Sequence, residues 1–246
     1  PALNGMHGGD SLRYRFVFWE LHSLEDWGFF QNTCQSIQHY GGKQFVFYWR
    51  DDGQCHRDNP RAYVKGESVW GKTGVVVSMM GELPVTLYSG DKFDISCAPI
   101  VPHNPDHLPA IWCFCSSPEF NSEVRKIDQK LNVTNATLVK VPFDLEHWQK
   151  VAAETYPDGL PKPYSDDPTQ WIFHGHPAKT DTSLQVATAR LLGYRWPAEL
   201  DEEMELADSQ RDWVTRCNDL LPLADTDGIV CIPSVRGEDP AAERLL

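Results

Sequence analysis

Six cations fall between residues 43 and 72: Lys43, Arg50, Arg57, Arg61, Lys65 and Lys72. Four rings, Tyr48, Trp49, Tyr63 and Trp70, are interleaved with them. Cations set among aromatic rings suit a surface that neutralises phosphates. The competing reading is a solvated loop with ordinary surface charges. The whole chain has a formal net charge of −13, which argues against indiscriminate nucleic-acid binding by its entire surface. That charge is uneven. Residues 1–150 hold 14 Lys/Arg against 17 Asp/Glu, whereas 151–246 hold 8 against 18. A local basic face in the first part is compatible with that balance.

Other chemistry is thinner. No Gly-rich phosphate loop and no Gly-x-Ser-x-Gly elbow occurs. Cys113-x-Cys115 and His174-x-His176 have the wrong spacing for a usual zinc knuckle. His103, His107, His174 and His176 are the residues on which a small metal-dependent hydrolase would have to be built. Asn104-Pro105-Asp106-His107 resembles the tetrapeptide of adenine-amino methyltransferases. Asp106 stands where that chemistry needs a second proline, and His107 where it needs a stacking ring. A turn before a helix explains it better. Asn132-Val133-Thr134 and Asn135-Ala136-Thr137 are two sequons. They would fit a secreted binding module, but seven scattered cysteines, an odd number, point to a reducing cytoplasm.

These residues need a frame. Residues 13–21 and 43–50 are rich in β-branched and aromatic side chains and are expected to be strands. A short helix is expected at 27–40 and a polar loop from Asp51-Asp52-Gly53 to about 68. Further strands are expected at 73–80, 84–89, 95–102 and 136–141, the last entered through a turn shaped by Asn132 and Asn135. Helical spacing of apolar residues marks AIWCFCSS and SPEFNSEVRKIDQKL, with Ser117 and Pro118 opening the second. Asp144 is expected to cap a helix reaching about 155. The fold class is α+β, with a mixed sheet and packed helices in 1–156. A linker dense in Pro, Asp and Gly is expected at 157–182 and a mostly helical acidic segment at 183–246. No apolar run of membrane-spanning length occurs, and neither end has the composition of a natural terminus, so the chain reads as a piece of a longer protein.

Several stretches, in order, resemble the target-recognition region of large bacterial DNA adenine-N6 methyltransferases. The family includes Type IIG restriction–modification enzymes and the methylases of the BREX and DISARM phage-defence systems. RYRFVFWEL is similar to the segment that opens that region, and HYGGKQFVFYW to its Gly-Gly-Lys loop and following strand. VWGKTGVVVSMMGELPVTLYSGDKFDISCAPIVP resembles its paired strands, LPAIWCFCSSPEFN its closing helix, and KLNVTNATLVKVPFDLEHW its polar turn before a strand ending in Pro-Phe. The resemblance covers about residues 10–150.

The resemblance implies double-stranded DNA and the parent protein's methyltransferase domain as partners. S-adenosylmethionine would be the parent's cofactor, with no cofactor site and no catalytic residue in this chain. Lys and Arg of 43–72 would fix register on phosphates, while Gln44, Arg50, Arg57 and Asn59 would read base edges.

Overall fold

The structure is a computed structural model that describes residues 2–17, 20–21, 25–43 and 45–162. In the C-terminal part it describes 207–216 with positions 218, 219, 222, 236, 237 and 239. The fold class is α+β, as the sequence led us to expect, but the strands form two sheets. The first is mixed. β1 (Arg15–Val17) and β2 (Trp27–Gln31) flank β3 (Phe45–Tyr48) in antiparallel pairing, and β6 (Lys92–Phe93) joins β2 in parallel. The second is antiparallel, with β4 (Gly74–Ser78) between β5 (Val85–Tyr88) and β7 (Cys97–Ile100).

β4 reads Gly-Val-Val-Val-Ser and is buried along its whole length. The strand period of two sends Val75 and Val77 to one face and Val76 to the other. Val75 and Val77 join Val85, Leu87, Trp112, Phe114, Phe120 and Trp148 in the main core. The helices that cover this face are α3 (Leu108–Cys115), α4 (Pro118–Ile127) and α6 (Leu145–Thr155). Val76 packs instead with Val69, Tyr88, Phe93, Cys97 and Val101, toward the first sheet. A strand with both faces covered needs an uninterrupted apolar run, and this one has it.

Helix boundaries follow local chemistry. Pro118 stands in the first turn of α4, where a missing N–H costs nothing. Ser117 precedes it but donates its hydroxyl backward to the Phe114 carbonyl at 2.7 Å, so it closes α3 instead of capping α4. Asp144 caps α6 as expected, its Oδ1 accepting from the His147 N–H at 3.1 Å.

Three expected elements are corrected. Residues 27–31 form β2, not the start of a helix, because Trp27, Gly28, Phe29 and Phe30 pair in register with β3. The expected loop after Asp51 contains α2 (Arg50–Arg57). Its first turn is left-handed, with φ of 50°, 55° and 72° at Asp51, Asp52 and Gly53. At Gly53 a side chain would also meet the Trp49 indole at 2.6 Å, so only glycine suits the site. The β-branched stretch after Asn135 is not a strand. It is a single helical turn, α5 (Asn135–Leu138), that buries Thr137 and Leu138. Thr137 donates to Asp128 Oδ2 at 3.1 Å, which ties the turn to the end of α4. Of the expected linker only 157–162 is described, and of the acidic segment mainly α7 (Asp208–Arg216). Within that segment, a helix expected over 183–194 and a short strand expected over 227–233 lie outside the described residues.

Candidate nucleic-acid interface

His56 is the anchor from which the basic region is hung. It sits fully buried in α2, and its Nε2–H donates to the Tyr48 carbonyl at 2.8 Å. Its ring stacks on Phe47 at 4.5 Å between centroids and meets the Tyr14 ring edge-on at 4.7 Å. Burial lowers its pKa below the ordinary histidine value, against the opposing pull of its backbone contact to Tyr48. This fixes α2 against the end of β3 and brings α1 (Ser11–Tyr14) alongside.

The chain leaving α2 turns sharply. Asn59 Oδ1 accepts from the Arg61 N–H at 2.9 Å, and the Asn59 carbonyl accepts from the Ala62 N–H at 2.9 Å. His7 and Tyr63 then pair backbone to backbone, with N···O distances of 3.0 and 2.9 Å, and their rings stack at 5.6 Å. Gly9 is left-handed at φ 72° and passes so near the turn that an added Cβ would lie 2.9 Å from Asn59 Nδ2. Between these pieces opens a cleft of about 350 Å³ lined by Gly9, Asp10, Arg13, Tyr14, Asn59, Pro60 and Arg61.

Arg13 and Arg61 are exposed on either side of that cleft. Among the described residues neither has a carboxylate within 4.0 Å. The Arg13 guanidinium lies 5.3 Å from the Tyr14 ring centroid, and Lys65 Nζ lies 4.8 Å from that of Tyr63. Arg13, Arg61 and Lys65 with Tyr14, Tyr63 and His7 therefore make a ridge of cations and rings. Its cations keep their charge for an outside partner.

The other expected residues are placed differently. Lys43 is a correction. Its side chain is 2% exposed and pairs with Asp91 at 2.5 Å, with a further bond to Ser89, so it cannot reach a phosphate. Arg57 is held by Glu67 at 2.7 Å and by Asp52 at 3.3 Å, and its charge is largely matched within its own loop. Arg50 is more open, 61% exposed, with Asp51 at 3.7 Å and Asp26 at 4.0 Å. Asn59 lines the cleft, but its carbonyl oxygen is already engaged in the turn, which leaves mainly its N–H groups for a ligand. Lys72 is exposed in a separate groove, and Gln44 lies outside the described residues.

Three functional candidates escaped the sequence reading. Arg13 and Tyr14 were legible only as the start of a strand, whereas they belong to the turn before it. Lys92 Nζ lies against both the Trp49 and Trp70 indoles, 4.6 and 5.3 Å from their centroids, and burial lowers its pKa. The Arg-Tyr-Arg spacing beside a short strand was the available signal for the first pair. Nothing local marked Lys92.

Of the four histidines that a hydrolytic site would need, His103 is exposed and His107 half-buried, while His174 and His176 lie outside the described residues. Among the described residues no group of three or more His, Cys, Asp or Glu is placed to hold a metal ion. No helix among them is long and apolar enough to cross a membrane. Compared with known proteins, the chain matches no family model and no curated protein.

Proposed function

We propose that this chain is the DNA target-recognition portion of an adenine-N6 DNA methyltransferase of a restriction–modification or phage-defence system. In this reading the S-adenosylmethionine site and the chemistry reside in the rest of the parent protein, in the bacterial cytoplasm. The observation that carries it is the ridge of Arg13, Arg61 and Lys65, cations without carboxylate partners among the described residues of a chain whose net charge is −13. The ordered series of stretches that resemble the recognition regions of such enzymes agrees with it.

Mechanism follows from what methylating a base requires. The target adenine must leave the stack, and another surface must hold the duplex while it does so. Arg13, Arg61 and Lys65 neutralise phosphates and set register. Arg50, at 61% exposure, is the best placed of the base-edge candidates, since a guanidinium can bond guanine through two parallel N–H groups. Asn59 contributes donors to the cleft, with its acceptor oxygen retained for the turn.

The test is to express the chain joined to its parent methyltransferase domain and map N6-methyladenine by sequencing. A fixed recognition sequence is expected, relaxed at one position by Arg50→Ala. Methylation with an unchanged sequence preference after removal of residues 1–150 would refute the reading.

A further inference from the structure

A second groove, of about 540 Å³, lies between the loop that leads into β4 and the loop that leaves β7. It is lined by Ser68, Val69, Gly71, Lys72, Thr73, Val101, Pro102, His103 and Pro105, and none of these is a carboxylate. Val69, Val101, Pro102 and Pro105 give it an apolar floor, and Lys72, His103, Ser68 and Thr73 supply polar groups. Glu67, the nearest acid in sequence to Ser68, is engaged with Arg57 at 2.7 Å. Lys72 is exposed and has no carboxylate within 4.0 Å among the described residues.

The groove is built, not incidental. Val69 and Val101 belong to the buried cluster between the two sheets, which fixes the floor. Gly74 packs against β7 so closely that a Cβ would lie 2.5 Å from the Ile100 carbonyl oxygen, which fixes the distance between the two loops. Asn104 Oδ1 accepts from the Asp106 N–H at 3.1 Å and holds the turn Pro105–His107, so that the His103 loop has one shape. The Asn104-Pro105-Asp106-His107 stretch is thus a turn before α3 that borders the groove through Pro105.

We propose that this groove binds a small phosphorylated molecule with an organic body that is partly apolar. The phosphate would meet Lys72, His103 and the Ser68 and Thr73 hydroxyls, and the body would lie on the valine and proline floor. Pockets of this size hold small organic ligands, bound over apolar lining and oriented by a few polar groups. The site is separate from the Arg13–Arg61 ridge and does not depend on the DNA reading.

Calorimetric titration of the full chain with AMP, adenosine and inorganic phosphate tests it. AMP should bind more tightly than phosphate, and adenosine should give no heat. Lys72→Ala should weaken AMP binding about tenfold or more, the scale of one charge-assisted hydrogen bond. Both Lys72 and His103 are exposed, so Lys72→Ala and His103→Ala should keep the wild-type melting temperature. Arg61→Glu should leave AMP binding unchanged even where it abolishes duplex binding. AMP binding that is absent at millimolar concentration, or unaffected by Lys72→Ala, would overturn the proposal. So would loss of AMP binding in Arg61→Glu, which would assign the phosphate contact to the DNA surface.

Discussion

Replacing Lys43 with Met separates a folding role from a binding role at the residue where sequence and structure disagree most. The Lys43 ammonium is 2% exposed, and its partner Asp91 keeps 19% exposure. Ser89 donates to the same carboxylate oxygen at 3.1 Å, and the Tyr88 hydroxyl donates to the Asp91 carbonyl at 2.5 Å. Removing the ammonium therefore takes its close ion-pair partner from a largely buried carboxylate inside an ordered turn. Breaking a buried ion pair costs about 3–5 kcal/mol, and the partial exposure of Asp91 puts this case near 3 kcal/mol. With a urea dependence of about 2 kcal/mol per molar, the unfolding midpoint should fall by about 1.5 M. Lys43→Met combined with Asp91→Leu should recover most of that loss, because a well-packed apolar pair replaces the ions at little net cost. Urea unfolding of the two single variants and the double variant completes the cycle. A Lys43→Met protein with an unchanged midpoint and weakened DNA binding would refute the reasoning and return Lys43 to the interface.

Asn135 donates from Nδ2 to the Ala2 carbonyl at 3.1 Å, so Asn135→Ala should cost about 1 kcal/mol in thermal unfolding. Asn132 is exposed and bridges Met80 through its backbone, so Asn132→Ala should change stability by less than about 0.5 kcal/mol; the reverse order would contradict these placements. His39 Nε2 lies 3.0 Å from the Tyr156 hydroxyl, which also accepts from Trp112 Nε1–H at 2.9 Å. Burial lowers the His39 pKa below its ordinary 6.5, so as pH falls the unfolded chain takes the proton first. Its stabilisation is complete above about 6.5 and is lost as pH falls through the folded-state value, so His39→Phe should flatten the pH dependence of the urea midpoint below neutrality; an unaltered slope would count against it. Titration of the chain with S-adenosylmethionine should give no heat, since no Gly-rich cofactor loop is present, and micromolar binding would move the catalytic site into this chain.

Sequence legibility tracked how far each element depends on distant partners. α3, α4 and α6 carry their signals locally, in apolar spacing, Pro118 and Asp144, and all three were legible. The valines of β4 announce a buried strand on composition alone. β2 was misread because its identity comes from pairing with β3, fourteen or more residues away in sequence, and not from its own polar flank. α5 was misread because β-branched Thr137, Val139 and Val141 suggested extension, whereas Thr137 is held by Asp128 across the turn. The same distinction explains the site. Charge count alone cannot tell Lys43, whose partner Asp91 is 48 residues away, from Arg61, which has no carboxylate within 4.0 Å among the described residues. Arg13 and Tyr14 join Asn59 and Arg61 because His56 packs on Tyr14 and the His7–Tyr63 pairing ties the two segments together.

The central claim is that this acidic chain binds duplex DNA through the Arg13–Arg61–Lys65 ridge. Fluorescence anisotropy with labelled duplexes at two salt concentrations measures it directly. Three phosphate contacts predict a slope of about −2.7 in log affinity against log salt, or a loss of about fortyfold from about 50 to about 200 mM. Arg13→Glu with Arg61→Glu should abolish most binding on every sequence at unchanged melting temperature, and Arg61→Ala alone should lower the slope by about one. Binding by the wild-type chain that is absent at low salt, or that survives the double charge reversal, would contradict the account.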